Sequence, residues 1–298
     1  MCVLQGRLAN MQNIAQSQTI DTQFAPETRR VIRGIRWTRL AIHIGVGLLV
    51  AGIIFPRISN ARRAYFVQWW SQKTLRILNV ILSIHGVRPD ATVRNFMIAA
   101  NHISWLDIYV INAAHPARFV AKAEIRDWPI VGWLCEKAGT IFIRRTHRRD
   151  TARINDEMHS VLAMGDTIGL FPEGTTTAGD RLLKFHSSLL EPAVINNATL
   201  APAALRYSTS DGKRCLAVAY INDLSFAESL QLIIRQKSTI AELTFATPIS
   251  AVGCSRRDLA LKAESAIAAI LNVPIPQAHQ RFGNAGGNAE VLLIDRRQ

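Results

Sequence analysis

The stretch FMIAANHISWLD, residues 96–107, joins an uninterrupted apolar run to a cluster of polar side chains. Its first five residues show no alternation of apolar and polar side chains, which is typical of a strand buried on both faces of a parallel sheet. The polar residues that follow predict a turn at the end of this strand. Functional loops gather at the carboxyl ends of the strands in such sheets, so this turn is a candidate site.

Further strands and helices are predicted to alternate after this stretch. The predicted strands are RFVAK (118–122), GTIFIRR (139–145), DTIGLF (166–171), TLAPAALRY (199–207) and STIAELTFA (238–246). The predicted helices are DTARINDEMHSVLAMG (150–165), AESLQLIIRQ (227–236) and RRDLALKAESAIAAILN (256–272). This order favours an α/β fold, with a mixed, largely parallel central sheet flanked by helices. We assign this domain to residues 86–273.

The sequence before the domain predicts membrane-associated helices over residues 29–85. Residues 40–55 carry no formal charge, but they are fewer than the ~20 that a spanning helix needs. Residues 61–85 are typical of a basic amphipathic helix that lies in the membrane interface. Three arrangements of these residues stay possible: a single membrane span, a shallow helical hairpin in the membrane, or two core helices of a soluble protein. Residues 1–28 are predicted to be loose, and 274–298 to be a mobile tail.

The charge and the cysteines narrow the classes of partner. Lys and Arg outnumber Asp and Glu by 35 to 22, and a net charge of +13 attracts anionic lipid, nucleic acid or acidic cofactors. No nucleic-acid-binding signature accompanies the charge, so nucleic acid is disfavoured. The four cysteines are far apart and the histidines lack ligand-like spacing, so we expect no metal and a reduced, cytoplasmic setting. We also find no cleavable signal peptide.

His102 and Asp107 form the first candidate site. Five residues turn through about 140° on a helix, so the two side chains can meet only if His102 precedes a helix that has Asp107 in its first turn. Ser104 and Asp107 have the spacing of a capping box, which would begin the helix at that place. Asp107 could then hold one imidazole nitrogen while the other takes a proton from a hydroxyl. Alternatively, Asp107 is only a cap, or Ser104 is a nucleophile without the usual glycine elbow.

The segment LFPEGTTT, residues 170–177, is the second candidate site. Gly174 allows a tight turn that exposes backbone amides, and the three threonines offer hydroxyl donors to a phosphate or carbonyl oxygen. An ordinary turn with a threonine cap is the alternative. Arg144 and Arg145 end another predicted strand and point to opposite faces, so one of them could reach a bound anion. For Lys184 and His186 we favour solvated roles.

Together and in this order, the motifs resemble those of the glycerolipid acyltransferase family, in particular bacterial 1-acyl-sn-glycerol-3-phosphate acyltransferases. The resemblance covers roughly residues 60–210. The residues that carry it are Asn101, His102 and Asp107; Gly139, Ile141, Phe142, Ile143 and Arg145; Phe171, Pro172, Glu173, Gly174 and Thr175; and Pro202.

The resemblance implies transfer of an acyl chain from acyl-CoA or acyl carrier protein to the sn-2 hydroxyl of 1-acylglycerol 3-phosphate. It implies His102 as the base and Asp107 as the residue that orients it. The residues that it implies for substrate binding are Arg145, Glu173, Gly174 and Thr175. It implies no metal or cofactor beyond the thioester co-substrate, membrane lipids as partners, and a place on the cytoplasmic side of the inner membrane.

The sequence departs from the family pattern at two places. Thr176 stands where family members commonly carry an arginine, an evident partner for phosphate, and residues 183–186 replace the customary Phe-Lys-x-Gly. Lys184, Arg206 or the threonine hydroxyls could substitute for the missing guanidinium. The departure also leaves lyso-ornithine lipid open as the acceptor. A thioester hydrolase and a catalytically silent binding protein are the alternatives from other classes.

Overall fold

The computed structural model describes residues 27–89, 95–143 and 148–276. The loose N-terminal segment and the tail predicted above therefore lie almost entirely outside the described residues. The described helices are α1 (Arg30–Leu49), α2 (Asn60–Leu78), α3 (Leu106–Ala114), α4 (Val131–Lys137), α5 (Arg148–Ala163), α6 (Glu191–Ile195), α7 (Phe226–Arg235) and α8 (Arg256–Leu271). The strands are β1 (Val80–Gly86), β2 (Phe96–Ala100), β3 (Arg118–Lys122), β4 (Ile141–Ile143), β5 (Thr167–Leu170), β6 (Thr199–Ser208), β7 (Thr239–Phe245) and β8 (Ile249–Ser250).

The strands form one mixed, largely parallel sheet in the order β1-β7-β6-β2-β5-β3-β4, with β8 beside β6. β7 and β8 pair with β6 in the antiparallel sense, and the other pairs are parallel. Helices cover both faces, so the predicted fold class is confirmed. The central strand β2 is fully buried: Ile98 faces the layer that contains α3 and α7, while Met97 faces the layer that contains α5 and α8.

One boundary of the predicted helical segment is wrong. The amphipathic helix expected over 61–85 ends at Leu78, and Asn79 has the left-handed conformation (φ 57°) that stops a helix. Residues 80–86 form β1, which pairs in parallel with β7. The β-branched Val80, Ile81 and Ile84 favour a strand here, and the sheet therefore begins before the predicted domain boundary at residue 86.

The two N-terminal helices pack along the body of the protein. α1 continues through a π-helical turn and a 3-10 turn to Arg57, and of the described helices this 28-residue one alone is long and apolar enough to cross a membrane. Its buried face is made by residues three or four apart: Arg36, Leu40, His43, Gly47, Ala51 and Phe55. The guanidinium of Arg36 donates to the carbonyl groups of Ile234, Gln236 and Lys237, at the end of α7. The opposite face exposes Val31, Ile35, Ile42, Val46, Leu49 and Ile53.

Candidate active site

The site begins where β2 ends. Asn101 follows the last residue of β2, and its buried side chain makes two hydrogen bonds to the backbone of Leu205 on β6, at 2.7 and 3.1 Å. The side chain thus continues the ladder between the two strands after the main chain of β2 has turned away. This fixes the direction in which the next residue, His102, leaves the sheet.

His102 and Asp107 meet as the spacing predicted. His102 lies in the turn before α3 and Asp107 in the first turn of α3, and Nδ1 of His102 is 2.8 Å from Oδ2 of Asp107. The same carboxylate oxygen accepts the backbone amides of Ile103 and Ser104, at 2.7 and 2.9 Å. Asp107 is fully buried, whereas the imidazole is one-fifth exposed. Since Nδ1 is engaged, Nε2 is the nitrogen that can take a proton from a substrate.

Ser104 forms only half of the predicted capping box. The Asp107 carboxylate accepts the Ser104 amide, but the Ser104 hydroxyl accepts the amide of Leu106, at 3.3 Å, instead of that of Asp107. The helix accordingly begins at Leu106, two residues after Ser104. Ser104 is fully buried, and this burial argues against its use as a nucleophile.

Phe171 stacks on the face of the His102 imidazole. The two rings are stacked with their centroids 4.0 Å apart and their planes 5° from parallel. Phe171 comes directly after β5, the neighbour of β2, which explains why the FPEGT motif and His102 meet at one edge of the sheet. The imidazole is therefore fixed both in its plane, by Asp107, and across its face.

Glu173 joins the two motif loops through the backbone. Its oxygen Oε1 accepts the amide of His102 at 2.8 Å, and Oε2 accepts the amide of Leu183 at 2.9 Å. The side chain is buried, and this burial raises the pKa of Glu173 to about 7, although the two hydrogen bonds act in the opposite direction and the charge of Asp107 adds to the rise. This connecting role was not predicted from the sequence. Contact between Glu173 and an acceptor stays a prediction.

The turn at Gly174 uses most of its polar groups within the protein. Gly174 has a φ of +76°, as the predicted tight turn requires, but its amide donates to the carbonyl of Phe171 at 3.1 Å. Of the backbone amides expected to be exposed near this turn, that of Gly174 is therefore used within the protein. The Thr176 hydroxyl donates to the carbonyl of Tyr220, and the Thr177 hydroxyl accepts the amide of Gly179 at 3.2 Å. Thr175 is exposed and can reach a ligand.

The predicted cations divide into three cases. Arg145, together with Arg144, lies outside the described residues. Arg206 points away from the site: it lies on the other face of β6 from Tyr207, donates to the carbonyl of Leu271 at 3.0 Å and is 3.9 Å from Glu242. Lys184 is exposed, in the loop that follows the FPEGT motif.

Tyr207 is a site residue that sequence reasoning did not find. It lies within the predicted strand 199–207, and its hydroxyl donates to Oδ1 of Asp107 at 2.7 Å. Strand alternation could have placed it on the same face as Leu205, but the partner lies 100 residues away in the chain. Across the described ranges, 27–89, 95–143 and 148–276, no group of three or more His, Cys, Asp or Glu side chains could hold a metal ion. The prediction that no metal is needed is left as it stood.

An apolar cavity is connected to the His102 imidazole by two phenylalanine rings. Its volume is about 230 Å³, and it lies between the helical pair α1–α2 and the layer that contains α3, β3 and α7. Trp105 and Phe119 belong to its wall. Phe119 stacks on Phe171 at 5.6 Å, and Phe171 stacks on His102, so two phenylalanine rings connect the wall of the cavity to the candidate base.

Comparisons with known proteins agree with this geometry. A family model described as Acyltransferase matches residues 82–206. A lyso-ornithine lipid O-acyltransferase of Pseudomonas aeruginosa is 32% identical over 243 residues, which cover 80% of this chain and 92% of that protein. A 1-acyl-sn-glycerol-3-phosphate acyltransferase of Neisseria gonorrhoeae is 36% identical over 171 residues, 57% of this chain and 66% of that protein.

A solved structure supports the fold. The 1-acyl-sn-glycerophosphate acyltransferase from Thermotoga maritima superimposes with a TM-score of 0.62 over 81% of this chain and 94% of that one, at 20% identity. The resemblance drawn from the four motifs is thereby confirmed. The comparisons do not test the roles of individual residues, so those roles remain predictions.

Proposed function

This chain belongs to the acyltransferase family of glycerolipid and lysolipid metabolism, and from that premise we propose a specific reaction. The enzyme transfers an acyl chain from the thioester of acyl-CoA or acyl carrier protein to the sn-2 hydroxyl of 1-acylglycerol 3-phosphate, giving phosphatidic acid. The observation that carries the proposal is the His102–Asp107 pair, 2.8 Å apart, which Phe171 and Phe119 connect to an apolar cavity.

The chemistry needs no covalent enzyme intermediate. Nε2 of His102 takes the proton of the acceptor hydroxyl as its oxygen attacks the thioester carbonyl carbon, and Asp107 stabilises the imidazolium that forms. The tetrahedral intermediate collapses with release of the thiolate, which takes the proton from the imidazolium. Because Ser104 is buried and bonded to the helix start, direct transfer is favoured over an acyl-serine.

The apolar cavity is the proposed site for an acyl chain. It is lined mostly by apolar side chains, as a hydrocarbon requires, and Phe119 in its wall stacks on Phe171, which stacks on the imidazole. A chain bound there with its carbonyl group toward His102 would have its reacting carbon at the mouth of the cavity. The helical pair α1–α2 forms the other wall, so the cavity lies next to the surface proposed to meet the membrane.

The helical pair is proposed to bind the cytoplasmic face of the inner membrane. The buried residues of α1 extend from Arg36 to Phe55, so the helix contacts the protein body over most of its length. Crossing the bilayer would break the three hydrogen bonds of Arg36 and expose that face. A shallow hairpin with its apolar face in the lipid is therefore favoured over a single span.

The acceptor headgroup has two candidates. For the phosphate of 1-acylglycerol 3-phosphate, the proposed ligands are Arg145, Glu173, Gly174 and Thr175. Lyso-ornithine lipid is the second candidate, because Thr176 replaces the usual arginine. The Thr176 hydroxyl donates a hydrogen bond to the carbonyl of Tyr220, and Arg206 donates to the carbonyl of Leu271 on the other side of the sheet. Two of the groups that could replace the guanidinium are thus already occupied.

A panel of acceptors tests the proposal. Purified enzyme is mixed with acyl-CoA or acyl carrier protein and with vesicles that contain lysophosphatidic acid, lyso-ornithine lipid or a neutral lysophospholipid, and the products are identified by mass spectrometry. We expect diacyl product with lysophosphatidic acid. A clear preference for lyso-ornithine lipid would mean that this lipid, and not lysophosphatidic acid, is the acceptor. Release of free fatty acid at the same rate with and without an acceptor would mean that the enzyme is a thioester hydrolase.

A further inference from the structure

Strand β6 extends past the end of its neighbour β2. The first five residues, 199–203, pair with Phe96–Ala100, and the second half of β6 continues beyond the last residue of β2. Asn101 bonds to this overhang at Leu205. Two residues further on, Tyr207 lies on the same face of the strand as Leu205, under the turn that carries His102.

The overhanging part of β6 places the Tyr207 hydroxyl against the Asp107 carboxylate. The hydroxyl of Tyr207 donates to Oδ1 of Asp107 at 2.7 Å, and both side chains are buried. The other oxygen, Oδ2, already receives three donors, from His102, Ile103 and Ser104. Among the residues that the structure describes, Tyr207 is the donor that satisfies Oδ1.

We propose that Tyr207 is a positioning residue, which sets the orientation of Asp107 and the basicity of His102. A buried carboxylate that lacks a donor on one oxygen holds its charge on the other oxygen, which then binds the imidazolium more strongly. By drawing charge to Oδ1, the phenol weakens the attraction between Oδ2 and an imidazolium at His102. The inference rests on the proposed function only in taking His102 as the base.

The phenol can donate over the whole working range of pH. Burial, together with the charge of Asp107, raises the pKa of Tyr207 well above its usual value, so the hydroxyl keeps its proton. The other titratable groups that act on this cluster are Glu173, whose pKa is about 7, and the Cys215 thiol, whose pKa is raised by burial. Both groups are present in the wild type and in a variant at residue 207, so the two proteins differ in chemical composition only at that side chain.

Replacing Tyr207 by Phe removes the hydroxyl and keeps the ring. The reaction of His102 with diethyl pyrocarbonate, followed by peptide mass spectrometry as a function of pH, reports its pKa without any turnover. We expect the midpoint for His102 to rise in Y207F by about 0.5 to 1 pH unit. We also expect kcat to fall about tenfold with little change in KM, because the dyad is less firmly held.

A double-mutant cycle shows whether the effect runs through Asp107. In D107N the carboxylate charge is absent, so adding Y207F should leave the midpoint for His102 where D107N placed it. Y65F, at an exposed tyrosine on α2, is the matched control and should not move the midpoint.

Two results would overturn the inference: a midpoint in folded Y207F equal to that of the wild type, or the same shift in the D107N background. Thermal unfolding of each variant identifies any that fail to fold, and the modification is read only on folded protein. Because the modification needs no substrate, the expected shift in an enzyme without transferase activity would reject the proposed function and retain the role of Tyr207.

Discussion

The backbone amide of His102 donates to Oε1 of Glu173 over 2.8 Å, and this bond joins the loop of the candidate base to the FPEGT loop. The second oxygen of Glu173 holds the amide of Leu183, ten residues further along the chain. One buried carboxylate thus connects three segments: the turn at His102, the FPEGT turn and the loop after it. Glu173, which the family resemblance predicts to bind substrate, thus makes hydrogen bonds that hold the site together.

Replacing Glu173 by Gln should remove a pH dependence of stability. The pKa of Glu173 is raised from 4.5 to about 7, so between those values the unfolded chain has lost the proton that the folded protein keeps. The associated stability is fully present below pH 4.5 and is lost as the pH rises through 7, a change of about 3 kcal/mol in the free energy of unfolding. Urea unfolding at pH 5, 6, 7 and 8 measures it.

The matched control for this experiment is E157Q, at an exposed carboxylate on α5. The control should keep the pH slope of the wild type, whereas E173Q should lose it. Equal slopes in wild type and E173Q would mean that Glu173 is ionised in the folded protein throughout this range.

Substitutions of His102 or Asp107 should abolish acyl transfer without releasing the protein from the membrane. H102A and D107N are expected to lower kcat by roughly 10² to 10⁴, because one lacks the base and the other lacks the charge that orients and stabilises it. Binding to vesicles should equal that of the wild type, since the helical pair is untouched. Full transferase activity in H102A would show that another group takes the proton.

The sequence predicted the parts of this site that depend on nearby residues. The buried strand at residues 96–100 and the five-residue spacing were enough to place His102 before a helix and Asp107 in its first turn. The contact of Glu173 with His102 and that of Tyr207 with Asp107 could not be found in that way, because the partners are 71 and 100 residues apart and are brought near only by the order of the strands. The helical boundary at Leu78 was missed for a local reason: the apolar residues on both sides of Asn79 fit a helix as well as a strand, and pairing with β7 decides the outcome.

Introducing arginine at residue 176 should increase the use of a phosphate-bearing acceptor. A guanidinium there adds a charge-assisted hydrogen bond to phosphate, and we expect kcat/KM for lysophosphatidic acid, relative to lyso-ornithine lipid, to rise about tenfold in T176R. T176V is the control, because it removes the bond to the Tyr220 carbonyl without adding a cation. Equal ratios in T176R and T176V would mean that residue 176 does not face the headgroup.

Filling the cavity should shorten the preferred acyl chain. Ala117 precedes β3, so it lies toward the end of the sheet away from His102, and it lines the cavity. In A117L the added side chain should lower kcat/KM for the longest acyl donors by ~10-fold and leave short donors unaffected. A64L is the control, because Ala64 lines the neighbouring polar cleft but not the cavity. An unchanged profile of chain lengths in A117L would place the acyl chain elsewhere.

The exposed apolar face of α1 should account for binding to lipid. Leu49 and Ile53 are 62% and 57% exposed on that face. Burying each of these side chains in the bilayer would contribute ~1.5 to 3 kcal/mol to the free energy of binding. Changing both to lysine should therefore weaken binding to vesicles of phosphatidylglycerol and phosphatidylethanolamine by at least ~100-fold, measured by sedimentation. Met164 is 59% exposed after α5, so M164K is a matched control for an apolar side chain on another surface. If attachment were purely electrostatic, the added lysines would strengthen binding to these anionic vesicles. Tighter binding by the L49K/I53K variant would therefore mean that charge, and not the apolar face of α1, holds the protein on the membrane.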